Sequence, residues 1–414
     1  MQNSMVLSSG TGKTISGASE IKAPVLTQRV VSIDVYRGFV MLLMMAEILS
    51  FETVSKALPG STFWQIVSFN QSHVPWTWLS LHDMIQPSFS FLVGVALPYS
   101  IASRKKKGAG FGELMKHTII RSIILICLGI FLRSMHSGQT YFTFEDTLSQ
   151  IGLGYTFLVL IAFCPKRIQI VLLIVILIGY WLAFALYPLP GPHFDYSQTG
   201  VPADWPYNAQ GLAAHWNKNT NLAWAFDRWF LNLFPREKTF VYHGGAYATL
   251  SFIPTLGTMI LGLLAGQSLR SHRPEREKLK LFIMLGLSLV VLGAVCQIAG
   301  INPIVKRIWT PAWTIFSGGI CFLFLAVFYA VTDLAGLKRW SFPLIVIGMN
   351  SIVAYVLADG FSSFIVSSLY IHLGANYDQI FGVAYATLVK GSIVLLLDWL
   401  ILYWMYRKKI FIKI

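Results

Sequence analysis

The chain has 414 residues, of which 55% are hydrophobic and only 12% charged, and its formal net charge is +14. Its mean hydropathy of +0.61 is far above that of a soluble domain, so the composition indicates an integral membrane protein. The basic residues stand in short clusters between apolar runs, as at 104–107 and 407–409, which is typical of membrane topology rather than nucleic-acid binding. The four cysteines lack the spacing of a zinc site or a disulfide framework.

The N-terminal 28 residues lack the apolar centre of a secretory signal, and we predict that they form a disordered cytoplasmic tail. The sequence GTGKT at 10–14 matches only the end of a phosphate-binding loop, because Leu7 stands where the motif needs its first glycine. We interpret this match as chance. The remainder, 29–414, is predicted to be one transmembrane domain.

Apolar segments long enough to cross a membrane recur along this domain. Ten are predicted, at 32–50, 84–102, 119–135, 148–164, 168–187, 246–266, 280–299, 312–332, 342–358 and 382–406. The predicted fold is therefore all-α and polytopic, with about ten transmembrane helices. Placing the N-terminus in the cytoplasm puts most Lys and Arg residues on that side, so the positive-inside rule predicts that both termini are cytoplasmic. We expect a multi-pass protein of the inner (plasma) membrane.

Two other segments need separate interpretations. The longest loop, 188–245, is predicted to be extracytoplasmic and is rich in aromatic residues. It is interpreted either as a cap that contacts a sugar or a partner, or as interfacial aromatics that rest on lipid headgroups. The apolar stretch 361–372 is too short to span, so a re-entrant or interfacial segment is predicted there.

Ionisable residues inside the predicted spans are the best pointers to function, because each costs several kcal/mol unless it is paired or hydrated. In the first span, Asp34 and Arg37 are three residues apart and share a helix face near the cytoplasmic end; they serve either as a structural ion pair or in binding an anionic ligand. Glu47 lies at the outer end of the same span. In the last span, Lys390 and Asp398 are two turns apart and are expected to pair in a packing role.

The stretch before the second span combines ionisable side chains with a proline that loosens the helix. His73 and Asp83 fall at its outer mouth, and Pro87 leaves backbone groups free to line a cavity. An imidazole beside an orienting carboxylate is a standard general-base arrangement, and Glu47 is expected nearby. His82 is the competing candidate, although its adjacency to Asp83 also suits a local helix-cap role.

Four motifs in this order resemble the transmembrane acetyltransferases of the heparan-alpha-glucosaminide N-acetyltransferase family and its bacterial relatives. They are SIDVYRGFVMLLMM, SHVPWTWLSLHDMIQPSFSFLVGVALPYS, INPIVKRIWTPAW and IGMNSIVAYVL. The resemblance runs from about 29 to 358 and implies a bare ten-helix core. Where relatives commonly carry asparagine at the outer end of the first helix, this chain has Glu47, and the following loop is longer.

The resemblance implies transfer of an acetyl group from cytoplasmic acetyl-CoA, as co-substrate and without a metal, to an amino or hydroxyl group of an extracytoplasmic sugar or glycan. It implies a catalytic role for His73, with Asp83 and Glu47 beside it. The expected acceptor-binding residues are Trp76, Lys306, Trp309 and Asn350, with Lys306 or Asn350 donating to the developing oxyanion. Basic residues on the inner side would hold the CoA phosphates, and the expected cofactor-binding residues are Asp34, Arg37, Arg121 and Arg270.

Two other classes of function are compatible with the sequence. A transporter or flippase of a sugar or lipid-linked sugar would also use kinked helices and buried charges, but the ionisable groups gather at one mouth rather than at mid-bilayer. A scaffold would explain the two expected ion pairs but not the cluster around His73. Beyond membrane lipid and the acceptor, the resemblance alone suggests a homodimer, and no nucleic-acid partner is expected.

Overall fold

The computed structural model describes residues 30–135, 137–202 and 204–412, so the predicted tail lies outside the described residues. Within these ranges the chain forms α-helices joined by short 3₁₀ and π turns, with a single β-bridge between Thr77 and Val305. In chain order the helices are α1 (Val31–Met45), α2 (Phe51–Ala57), α3 (Thr62–Gln71), α4 (Ile85–Lys106), α5 (Phe111–Ser134), α6 (Thr147–Ala162), α7 (Lys166–Ala185), α8 (Leu222–Phe230), α9 (Phe252–Leu269), α10 (Glu275–Ile298), α11 (Pro311–Phe328), α12 (Phe342–Met349), α13 (Ser351–Val356), α14 (Ser362–Leu373) and α15 (Ala386–Arg407).

Eight helices of the described chain are long and apolar enough to cross a membrane, and the bent pair Val31–Leu49 and Phe51–Ala57 adds a ninth if it is one span. Two further apolar helices, α6 and Arg339–Met349, are shorter. The prediction of an all-α polytopic membrane protein is confirmed. The number differs from ten because α6 has only 16 residues and because the first predicted span is bent by 43° after Leu49. The predicted helix 342–358 is broken at Asn350.

The helix after this break corrects two predicted boundaries. α13, a π turn at Leu357–Phe361 and α14 join into one span, Ser351–Leu373, of 23 residues. The prediction of a separate re-entrant or interfacial segment at 361–372 is therefore wrong. Asp359, an ionisable residue within this span, is tolerated because it lines an internal cavity instead of facing lipid.

The spans differ in how deeply they are buried in the bundle. In Thr249–Leu269, 78% of the apolar segment is buried inside the protein. In Glu275–Ile298, only 17% is buried. The first lies at the centre of the bundle and the second at its lipid-facing periphery.

Glycines allow the central helices to approach closely. A Cβ atom at Gly94 would overlap the backbone of α9, and one at Gly262 or Gly266 would overlap the backbone of α4. Gly262 and Gly266 form a small-xxx-small pair, the pattern that brings membrane helices into backbone contact. α1 and α12 meet in the same way at Gly38 and Gly348.

The loop 188–245 is a folded cap on one end of the bundle. It contains α8, and its Trp216 is buried and stacked on Phe184 of α7 with the ring planes 3° apart. Trp205 packs against Trp76, and Trp224 is buried, while Trp229 is 61% exposed. Most of the tryptophans of this cap therefore pack inside it or between it and the rest of the bundle.

The predicted pair Lys390 and Asp398 does not form an ion pair in the part of the chain that the structure describes. The Lys390 ammonium lies 5.9 Å from the ring centre of Tyr370. Asp398 is buried, and its Oδ1 has no hydrogen-bond partner among the described residues. The side chains point to different neighbours although they lie on one helix.

We predict that the variant Gly262→Ala is less stable than the wild type, by about 1–3 kcal/mol, because the added methyl group separates α4 from α9. Gly179→Ala is the matched control, since Gly179 lies on α7 and an added Cβ meets nothing within 4 Å. Thermal unfolding in detergent measures both variants. Equal melting temperatures for the two would contradict the role of Gly262 in the helix contact.

Candidate active site

A histidine and an aspartate form the centre of the site at the N-terminal end of α4. His73 Nδ1 lies 2.7 Å from Asp83 Oδ1. The other carboxylate oxygen of Asp83 accepts hydrogen bonds from the backbone N–H of Val74 (3.2 Å), the backbone N–H of Ser80 (3.1 Å) and the Ser80 hydroxyl (3.1 Å). Because a carboxylate only accepts, His73 donates its Nδ1 proton and keeps a lone pair on Nε2. This arrangement suits a general base.

Lys306 completes the cluster from the loop between α10 and α11. Its Nζ lies 3.3 Å from Asp83 Oδ1 and 3.3 Å from His73 Nδ1, and the side chain is buried. Burial lowers the pKa of His73; the hydrogen bond that His73 donates to Asp83 opposes this change, and the charge of Lys306 adds to it. The imidazole is therefore neutral at pH 7 and able to accept a proton.

The loop that carries Lys306 is fastened to the loop that carries His73. The backbone N–H of Trp78 donates to the carbonyl of Ile304 (3.0 Å). The Arg307 guanidinium donates to the carbonyls of Val74 (3.2 Å) and Gly245 (2.8 Å). Arg307 thus joins three loops, so the His73–Asp83–Lys306 geometry is set by backbone contacts on both sides.

His73 and Lys306 border a cavity of about 350 Å³, which we term the histidine cavity. Its lining is mostly polar and comprises Met44, Glu47, His73, His82, Ile85, Gln86, Arg133, Glu145, Asp146, Thr147, His243, Tyr247, Lys306, Tyr355 and Asp359. The His73 side chain is 36% exposed, and the ring of His82 contacts it at a tilt of 58° with ring centres 4.6 Å apart. Glu47 Oε2 lies 3.9 Å from His82 Nε2, so the predicted nearness of Glu47 to this cluster is observed.

Several residues of this lining were not singled out from the sequence. Arg133 and Asp359 lie in apolar helices, where an ionisable side chain is itself a functional signal. Glu145 and His243 lie in loops, and nothing in their local sequence indicates that they meet. Burial raises the pKa of Glu145 to about 7, while burial and nearby cations lower the pKa of His243 to about 4.

A second cavity, of about 580 Å³, lies among α1, α4, α5, α6 and the segment 348–355; we term it the arginine cavity. It is lined by Asp34, Arg37, Met41, Phe89, Leu92, Val93, Ala96, Leu97, Ser100, Arg104, Arg121, Leu125, Thr147, Leu148, Ile151, Tyr155, Gly348, Met349, Ser351, Ile352, Tyr355 and Ile412. Asp34 and Arg37 form an ion pair at 3.5 Å. Arg121 donates to the Tyr155 hydroxyl (3.0 Å), and its Nε has no hydrogen-bond partner among the described residues.

The two cavities adjoin each other. Thr147 and Tyr355 line both. Along α1, Asp34, Arg37 and Met41 line the arginine cavity, while Met44 and Glu47, farther along the chain, line the histidine cavity. Glu47 follows Asp34 by thirteen residues, or about 20 Å of helix. The arginine cluster and His73 thus belong to neighbouring cavities that meet at Thr147 and Tyr355.

Five of the predicted site residues lie outside both linings, namely Asp83, described above, and four others. Trp76 and Trp309 are buried, the first against Trp205 and the second through a hydrogen bond from Nε1 to Thr258 (3.2 Å). Arg270 donates to the carbonyl of Pro98 (2.6 Å). The Asn350 amide donates to the Ile410 carbonyl (3.0 Å) and accepts from the Ile412 N–H (3.1 Å), near the Asp34 end of the bundle.

The residues that the structure describes contain no group of three or more His, Cys, Asp or Glu side chains able to hold a metal ion.

We predict opposite shifts of the His73 pKa in two variants. Lys306→Met raises this pKa because a cation beside the ring is lost, and Asp83→Asn lowers it because the carboxylate that stabilises the imidazolium is lost. NMR titration of ¹⁵N-histidine-labelled protein measures the shifts, with His73→Gln to assign the resonance. Lys338→Met, at an exposed position, is the control and leaves the His73 pKa unchanged. Shifts of the same sign in the first two variants would contradict the geometry.

Comparison with known proteins agrees with the resemblance of the four motifs. Heparan-alpha-glucosaminide N-acetyltransferase of Homo sapiens is 25% identical over 427 residues, which cover 94% of this chain and 60% of the human protein. The Mus musculus protein of the same name is 24% identical over 425 residues, covering 92% of this chain and 60% of the mouse protein. The chain thus spans about 60% of the length of these relatives.

No protein-family model matches the chain. The two relatives nevertheless align with nearly all of the chain. Over nearly its whole length the chain is therefore similar to heparan-alpha-glucosaminide N-acetyltransferases.

Proposed function

We propose that the protein is a transmembrane acetyltransferase that moves an acetyl group from acetyl-CoA to an amino or hydroxyl group of a sugar. The observation that carries this proposal is the pair of adjoining cavities, one with the arginine cluster and one with His73. A donor molecule with a charged end and a long flexible arm fits this pair, because each part meets a matching part of the wall. The names of the two relatives support acetyl transfer to a glucosaminide.

The arginine cavity fits the CoA part of the donor. Arg37, Arg104 and Arg121 supply positive charge for its phosphates, and the unpartnered Arg121 Nε is a buried donor that lacks an acceptor within the described protein. Beyond the arginines the wall becomes apolar, with Leu92, Val93, Ala96, Leu97, Leu125 and Ile151, and suits the pantetheine arm. The arm then brings the thioester past Thr147 and Tyr355 to His73.

At the histidine cavity, His73 Nε2 takes a proton from the attacking amine or hydroxyl. The new bond from nitrogen or oxygen to the acetyl carbon forms, the carbon–sulfur bond breaks, and the proton is passed to the departing sulfur to give CoA. Asp83 keeps the imidazole in the required tautomer and stabilises the imidazolium that forms. The Lys306 ammonium favours the negative charge that develops on the acetyl oxygen. A two-step route through acetylated His73 uses the same nitrogen.

We further propose that the arginine end faces the cytoplasm and the histidine end the extracytoplasmic side. The positive-inside distribution supports this orientation, since the basic clusters at 104–107 and 407–409 follow the C-terminal turns of α4 and α15. In that orientation the donor enters from the compartment in which acetyl-CoA is made, and a glycan acceptor enters from outside.

We expect His73→Ala and Asp83→Asn to lower kcat about 10²- to 10⁴-fold, because a positioned general base contributes a factor of this size. Both variants keep CoA binding, since the arginine cavity is unchanged. The assay measures CoA release by detergent-purified protein with acetyl-CoA and glucosamine. The control, His372→Ala, lies on the exposed surface of α14.

An active His73→Ala enzyme would reject the assignment of the base. Transport of a labelled sugar across the membrane of vesicles that contain the protein, without cleavage of acetyl-CoA, would instead favour a transporter.

We expect Arg121→Gln to weaken binding of CoA about tenfold or more, because a hydrogen bond from a charged group contributes about 1.5–3 kcal/mol. Isothermal titration with CoA measures the change. Arg276→Gln, an exposed position on α10, is the charge-matched control. If both variants bind CoA as the wild type does, the arginine cavity is not the donor site.

A further inference from the structure

The histidine cavity contains a second imidazole whose hydrogen bonding is the reverse of that of His73. His243 Nδ1 accepts from the backbone N–H of Gly245 (3.0 Å) and lies 3.4 Å from the N–H of Tyr247. A backbone N–H cannot accept, so His243 Nδ1 must be unprotonated, and the ring carries its proton on Nε2. His73, in contrast, has its proton on Nδ1 and its lone pair on Nε2.

The turn around His243 fixes this tautomer. The N–H of Ala246 donates to the His243 carbonyl (2.8 Å), and Ala246 has a positive φ of 57°. The same carbonyl accepts from the Asn219 amide (3.1 Å), and Arg307 holds the Gly245 carbonyl. The backbone N–H groups that face His243 Nδ1 are therefore held by contacts from the cap and from the loop next to Lys306.

The imidazole of His243 is also kept neutral. Burial lowers its pKa to about 4, and the charges of Arg133, Arg307 and Lys218 act in the same direction. At pH 7 the ring is therefore a donor through Nε2–H and has no free lone pair. It cannot act as a base, and it cannot accept a hydrogen bond from an ammonium group.

We propose that His243 is a positioning residue that donates its Nε2–H to an oxygen of the sugar acceptor and so orients the acceptor toward His73. The inference rests on the proposed acetyltransferase function. His243 lines the histidine cavity and not the arginine cavity, so it meets the acceptor rather than the CoA arm. Tyr247 lies between the two imidazoles, with ring centres 5.7 Å from His243 and 6.2 Å from His73.

Because the two histidines have opposite tautomers, each contacts a different kind of atom on the acceptor. His73 Nε2 accepts the proton of the reacting amine or hydroxyl, and His243 Nε2 contacts a second atom that must be a hydrogen-bond acceptor. A neighbouring hydroxyl, ring or glycosidic oxygen meets this requirement, whereas a second ammonium does not. The structure thus assigns an oxygen-bearing group, adjacent to the reacting group, as the specificity element of the acceptor.

Two substitutions separate the two nitrogens of His243. His243→Gln keeps a donor amide near the position of Nε2, and His243→Asn keeps an acceptor oxygen near the position of Nδ1 but loses the donor. With glucosamine and acetyl-CoA, we expect His243→Asn to raise KM for glucosamine about tenfold, as loss of a hydrogen bond of about 1–1.5 kcal/mol implies. His243→Gln stays within about threefold of the wild type. Neither changes the affinity for CoA measured by isothermal titration, because His243 does not line the arginine cavity.

A KM for glucosamine that is unchanged in His243→Asn overturns the inference. So does an equal loss of thermal stability in both variants, since that result indicates a role in folding the loop. ¹⁵N NMR of the wild type gives an independent reading, because a proton found on His243 Nδ1 at pH 7 also overturns it. A wild-type enzyme that turns over no acetyl-CoA with amino or hydroxyl sugars refutes the proposed function, and the inference with it.

Discussion

The site depends on one carboxylate. Asp83 accepts hydrogen bonds from His73, from the Ser80 hydroxyl and from two backbone N–H groups, and it also lies beside the Lys306 ammonium. Each contact fixes a different part of the chain: the loop after α3, the first turn before α4, and the loop before α11. Because the carboxylate is buried, loss of its charge would leave Lys306 buried without a compensating anion. Local folding and the protonation state of His73 are therefore set by the same group.

The rest of the bundle places two cavities along α1. Glycine contacts hold α4 against α9 and α1 against α12, so the backbones around the cavities lie close together. From the first cavity to the second, the lining changes from arginine-rich and apolar to acidic and histidine-rich over about 20 Å of helix. Ionisable groups in membrane helices are costly, so this lining indicates a function beyond stability.

The sequence predicted the parts of this arrangement that are local. Apolar runs indicated the polytopic helical class, and the pairing of His73 with Asp83 could be expected because both residues precede the same span. Lys306 was identified only through a motif, since 233 residues separate it from His73. His243 and Glu145 could not be predicted as site residues, because their positions depend on how the loops that carry them fold. The placements of Asn350 and Arg270 depend on backbone carbonyls 60 and 172 residues away, which no residue pattern encodes.

The position of Thr147 and Tyr355 has a consequence for the membrane itself. An open polar channel along a whole bundle would let ions cross and would dissipate the electrochemical gradient of the cell. Here the arginine cavity and the histidine cavity meet at two uncharged side chains, so the ionisable walls of the two cavities are interrupted at their boundary. A membrane protein with two such cavities must keep this boundary closed to small ions.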